Sequence, residues 1–144
     1  MPDIDVARAE SLRSIDMFAG LDEVGLWHVS SLATEVSLPS GQVLLQPGQE
    51  GQGMFVILDG TVKVELPGGT TIACAKGEFI GELSLLVEGL MHTGRVRADG
   101  SVTCLAISRD DFTRMLETYP QIAVSMLKVL ARRLAATDEM LNAP

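Results

Sequence analysis

Apolar residues recur at intervals of three and four along residues 4–18 and again along 21–33, the spacing that lays one face of an α-helix against a core. From residue 35 to residue 108 the period shortens. Turn signals interrupt this stretch at Pro39-Ser40-Gly41, Pro47-Gly48, Asp59-Gly60, Pro67-Gly68-Gly69, Lys76-Gly77 and Asp99-Gly100. Between them, residues 43–46, 54–58, 61–66, 70–75, 95–98 and 102–107 are rich in the branched side chains that strands prefer. Many short strands separated by frequent turns predict a sandwich or barrel. At Ser108-Arg109-Asp110-Asp111 a serine precedes an acid by three residues, a capping-box pattern with Asp in place of Glu, and a helix over 111–118 is predicted. Pro120, tolerated in a first turn, opens a longer helix that runs to about residue 141.

That last helix carries two apolar rows. Ala123, Leu127, Leu130, Leu134, Thr137 and Leu141 form one, and Ile122, Met126, Val129, Arg133, Ala136 and Met140 the other. Two seams need two surfaces to pack against: one the protein's own barrel, the other the same helix of a second copy, so a homodimer is expected. The plainer reading is one broad core face.

Residues 79–86 read FIGELSLL, a Gly-Glu pair opening a short helical turn. The first amides of such a turn lack intrahelical acceptors and, with the helix dipole, favour an anion such as a phosphate. Glu82 is placed to accept hydrogen bonds from hydroxyls, as a ribose requires. The segment therefore predicts a clamp for a sugar phosphate.

The chain has 144 residues, 47% of them apolar, which suits one domain with its own core. We divide it into N-terminal helices (1–34), a β region (35–108) and C-terminal helices (109–141). The apolar runs fall far short of the roughly 20 residues of a membrane helix, and the polar, acidic start does not resemble a secretory signal. A cytoplasmic protein that does not bind membranes is expected. A formal net charge of -8 has the wrong sign for a nucleic-acid binder. Cys74 and Cys104 sit alone in apolar contexts and read as reduced core thiols, with no metal site expected. Of Trp27 and His28 on the second predicted helix, one should point at the barrel and the other at solvent. Neither G-x-S-x-G nor a Walker loop is present, and no enzyme is expected.

MFVILDGTVKVEL (54–66), GEFIGELSLL (77–86) and RVRA (95–98), in that order and before an Ala-Arg-Arg-Leu helix, resemble the cyclic nucleotide-binding domain family. The likeness is closest to sensor domains of the catabolite-activator type, without their DNA-binding domain, and extends over residues 18–141. The resemblance implies a mainly β fold with flanking helices, an eight-stranded jelly roll (double-stranded β-helix) ending in a long dimerisation helix. It also implies a phosphate-binding cassette over 77–98. In that pattern Gly81 and Glu82 form the ribose turn, with Glu82 on the 2'-hydroxyl. Backbone amides near Leu83 and Ser84 meet the cyclic phosphate, and Thr93 bonds phosphate or base. Thr137 faces the base, and Arg133 reaches Glu82 and couples ligand to dimer helix. The implied ligand is cyclic AMP or cyclic GMP, with no other cofactor, and Asp138 departs from the serine the pattern places after Thr137.

The phosphate-binding arginine of the family corresponds to His92. Three accounts stand. His92 binds phosphate as an imidazolium; Arg95 or Arg97 supplies the charge; or the pocket no longer binds nucleotides. Two functions follow: a cyclic nucleotide sensor acting through its dimer helix on an unidentified protein partner, or a dimerising adaptor that has abandoned the ligand. Some relatives bind haem, for which Cys74 and His92 would serve. The sequence stops at Pro144, where a regulator of the catabolite-activator type would continue into a reading head, and the expectation is a free-standing module or a piece of a longer chain.

Overall fold

The computed structural model describes residues 3–92 and 94–142, with side chains for 8–92 and 94–137. Helix α1 (Asp3–Arg13) buries Ala9 and Leu12 and runs against α2 (Glu23–Leu32), which buries Leu26 and Val29. The single helix predicted over 4–18 is broken. Ser14 Oγ donates back to Ser11 O and Ile15 N to Leu12 O, tightening the end of α1, and a separate 3-10 turn (Asp16–Phe18) buries Met17 and Phe18. Asp22 caps α2 by accepting from Gly25 N at 2.8 Å. Trp27 and His28 do not divide between barrel and solvent: both are half-buried, and His28 Nδ1 lies 2.9 Å from Tyr119 Oη, between the two C-terminal helices.

Six antiparallel strands are seen among the described residues: β1 (Thr34–Leu38), β2 (Val43–Leu45), β3 (Gly53–Glu65), β4 (Thr71–Cys74), β5 (Phe79–Ile80) and β6 (Arg95–Ser108). The order is β1-β6-β3-β4, with β2 also pairing β6 and β5 pairing β3. The turns predicted at Asp59-Gly60 and Asp99-Gly100 do not end strands. Both lie inside β3 and β6, which pair through register shifts on either side of Asp59. Gly60 has φ +91°, and a Cβ there would sit 2.4 Å from Ser101 O, so only glycine lets the two chains pass. Counting each long strand as two halves recovers the eight strands that the family resemblance implies. Strands β1 and β5 escaped the sequence reading, β5 because two residues show no period.

The sheet is covered on both faces, which is why residues 54–58 are apolar without alternation. Met54, Val56, Phe79, Leu105 and Ile107 pack with Leu12, Phe18, Leu26, Phe112 and Met115 of the helical layer. Ile57, Val62, Ile80, Val96, Ala98, Val102 and Cys104 fill the inside of the roll. The extra residue at the β3 bulge moves the inward position from odd (Ile57) to even (Val62) numbers.

Ser108 caps α4 (Arg109–Thr118) by accepting from Asp111 N at 3.2 Å. Helix α5 (Pro120–Asn142) buries Ile122 and Met126, while Val124, Leu127 and Leu134 are 52%, 64% and 63% exposed. The two predicted rows do not separate cleanly: Leu127 and Leu134 of the first row are exposed, but Leu130 of that row packs on the core beside Val129, and Val124 belongs to neither row. Among the described residues no helix is long and apolar enough to cross a membrane.

Candidate functional site

The site begins where β5 ends. Gly81, at φ +88°, turns the chain into the five-residue helix α3 (Glu82–Leu86), and no side chain caps its amides. A Cβ on Gly81 would stand 3.1 Å from Gly53 O, so conformation and space both call for glycine. The turn places Glu82 inward at 4% exposure, where Oε1 accepts from Arg133 Nη1 of α5 at 2.9 Å. Arg133 is itself held, with Nη2 donating to Phe79 O at 2.9 Å and its guanidinium 4.7 Å from the Phe79 ring centre. Burial raises the Glu82 pKa, opposed by its own backbone amide and by Arg133.

Ser84 is buried on the same helix, its Oγ 3.2 Å from His92 Nδ1. The His92 backbone is fixed on both sides, N donating to Gln49 O at 2.9 Å and O accepting from Gly48 N at 2.8 Å. Burial lowers its ring pKa, favouring the neutral imidazole. Thr137 sits toward the C-terminal end of α5, its hydroxyl donating to Arg133 O at 3.0 Å.

These groups converge. Gly81, Glu82, Leu83, Ser84, His92, Arg133 and Thr137 all border one cavity of about 660 Å³, whose apolar wall includes Leu45, Val64, Ile72 and Leu90. Thr93 lies outside the described residues, as does the side chain of Asp138. Arg95 and Arg97 do not border the cavity: Arg95 Nε bonds Gln46 Oε1 at 3.2 Å and Arg97 Nε pairs with Glu65 Oε1 at 3.1 Å. The account in which one of them replaces the missing arginine therefore has no geometry behind it. Cys74 also borders the cavity, unforeseen from its apolar context. Burial pushes its thiol pKa up, so it is a neutral thiol. Arg109, at the start of α4, also escaped the sequence reading. Its Nη2 donates to Gly51 O and Ser84 O at 2.6 and 3.0 Å, and nothing in its local pattern foretells that reach.

A jelly-roll strand pair, a glycine turn into a short helix and a carboxylate tied to the C-terminal helix define a nucleotide-sensor class of domain. The cyclic nucleotide-binding domain profile matches residues 35–119, and the chain belongs to that family. It is 32% identical over 122 residues to the potassium/sodium hyperpolarization-activated cyclic nucleotide-gated channel 4 of Homo sapiens, covering 84% of this chain and 10% of the channel. To the lysophospholipase nte1 of Neurospora crassa it is 28% identical over 116 residues, 77% of this chain and 8% of that protein. The chain thus spans a tenth or less of these curated relatives. Among solved structures, the catabolite activator protein of Thermus thermophilus superposes with a TM-score of 0.79 at 27% identity, over 88% of this chain and 62% of that one.

Proposed function

We propose that this chain is a regulatory, non-catalytic module that binds a cyclic nucleotide, cyclic AMP before cyclic GMP, between α3 and α5. The observation that carries this reading is the buried Glu82, set by the Gly81 turn and tied to Arg133 at 2.9 Å. A buried carboxylate facing a cavity is costly unless it has partners, and ribose hydroxyls supply the acceptor's missing bonds. The cyclic phosphate then meets the α3 amides near Leu83 and Ser84, with His92 beside it, and the base meets Thr137. Charge is the weak element. A neutral imidazole replaces the permanent fork of an arginine, so binding is coupled to proton uptake at His92.

The module is proposed to act as a homodimer through the exposed row of α5 on a protein partner, in a reducing compartment, the cytoplasm, suited to its two unpaired thiols. We take residues 1–144 as one unit. Calorimetry with cyclic AMP and cyclic GMP tests the core of this reading. We expect dissociation constants that fall as pH drops from 8 toward 6, through the ordinary imidazole range. No heat and no thermal shift at saturating ligand at either pH would remove the proposal. One observation favours the adaptor reading instead: the His92 ring already has a partner in Ser84 Oγ at 3.2 Å, so the pocket is partly satisfied without ligand.

A further inference from the structure

The short helix α3 is gripped at both ends by arginines from the C-terminal helices. At its start, Glu82 takes Arg133 of α5. At its other end, Ser84 O is among the last carbonyls, which have no amide within the helix to accept from. It takes Arg109 Nη2, at 3.0 Å. A cation at a helix C-terminus also complements the dipole there. The same nitrogen donates to Gly51 O at 2.6 Å, and the Arg109 backbone amide donates to Gln52 O at 2.9 Å. One side chain and its own backbone thus join the 50–52 loop, α3 and the first turn of α4.

The junction is close-packed. Gly51 is buried, and a Cβ on it would lie 2.6 Å from Ser84 Cβ and 3.4 Å from His92 Cε1. His92 is therefore boxed between the loop that Arg109 holds and the serine whose carbonyl Arg109 holds. The charged groups on the elements packed against it are Glu50, whose backbone pairs with Met91 and whose carboxylate lies 3.9 Å from Arg109, Arg109 itself, and the Glu82–Arg133 pair that borders the same cavity. We infer that Arg109 is a positioning residue of the nucleotide pocket: it seats Ser84 and His92 and makes α4 a second mechanical link, beside Arg133, between α3 and the C-terminal helices. The inference rests on the sensor reading for its purpose, not for its geometry.

The whole chain and its Arg109→Met, Arg109→Gln and Arg109→Lys variants are compared by two measurements. The first, without ligand, is an NMR titration of the His92 ring with amide exchange in α3. Met and Gln should move the His92 midpoint up toward the solvated value of about 6.5 and speed exchange in α3, because the box around the ring opens. Lys should restore both, since a single nitrogen serves both carbonyls in the native contact. The second is affinity for cyclic AMP, expected to fall about tenfold in Met and Gln and to recover in Lys. A His92 titration and α3 exchange unchanged in Met and Gln overturn the inference, as does loss of folding in all three variants, which would make Arg109 merely structural. Failure of the unsubstituted chain to bind cyclic AMP counts against the sensor reading alone, because the ring titration still decides the role of Arg109.

Discussion

In the proposed site, His92 is the residue on which affinity is expected to turn. Where the sequence resemblance implies a permanent cation, the proposed site has a ring whose pKa burial lowers, favouring the neutral form. Its folded pKa lies below the unfolded value, so the unfolded chain takes up more protons near pH 6. Folding stability from this group is therefore present above the ordinary imidazole pKa of about 6.5 and is lost as pH falls below it. Binding of a phosphate runs the other way, because the anion favours the imidazolium. The two slopes have opposite sign. Acidification from pH 8 to pH 6 should lower the melting temperature of the free chain while strengthening its complex with cyclic AMP, and a melting curve with and without ligand at each pH checks both. His92→Arg restores a charge-assisted bond of roughly 1.5–3 kcal/mol, which predicts a gain of about tenfold to a hundredfold in affinity together with loss of the pH slope. A calorimetric titration in which the variant binds no better than the parent would show that the phosphate does not sit beside residue 92.

At the scale of elements, the cassette depends on one left-handed residue. Gly77 and Gly81 have nearly the same φ, +89° and +88°, but a Cβ at 77 meets nothing within 4 Å whereas one at 81 meets Gly53 O at 3.1 Å. Alanine at either position incurs the left-handed penalty of about 1–2 kcal/mol, and only Gly81→Ala also pushes α3 off β3. Denaturant melts should show Gly81→Ala the more destabilised of the two, and nucleotide affinity should drop for that variant alone. Equal losses in both would mean that the contact with Gly53 is immaterial. The N-cap of α4 was readable in advance from Ser108 and Asp111, because capping is a local interaction set by spacing of three. The true extent of β3 and β6 was not. Asp59-Gly60 and Asp99-Gly100 carry the signature of turns, and whether such a pair reverses the chain or bulges it depends on the strand lying alongside.

At the scale of the molecule, α5 faces two ways. Ile122 and Met126 close the protein's own core, while Val124, Leu127 and Leu134 stand more than half exposed. Exposed apolar side chains of this size on one helix suit the proposed pairing with a second copy. Sedimentation velocity should find the unsubstituted chain dimeric and the double variant Leu127→Glu, Leu134→Glu monomeric, with an unchanged far-UV spectrum because neither side chain belongs to the core. A monomer at every accessible concentration would remove the dimer from the proposal. If the dimer forms, the ligand pocket and the interface share one helix, since Arg133 and Thr137 border the cavity from α5. Any shift of Glu82 on binding is then felt at the interface through a rigid element.

Period, turn chemistry and capping are local properties. For that reason the division into N-terminal helices, a β region and C-terminal helices, the Gly81-Glu82 turn and the cap of α4 could be read along the chain, whereas β1, β5 and the break after α1 could not. The family motif added which distant residues should meet, Glu82 with Arg133 among them. Tertiary structure alone decided the rest: that Arg95 and Arg97 turn to Gln46 and Glu65 instead of the cavity, that Cys74 borders it, that His92 leans on Ser84, and that Arg109 reaches back to α3. Each of those is a long side chain or a buried group choosing among partners many residues away. That choice is made by packing and desolvation in three dimensions, which no spacing along the chain encodes.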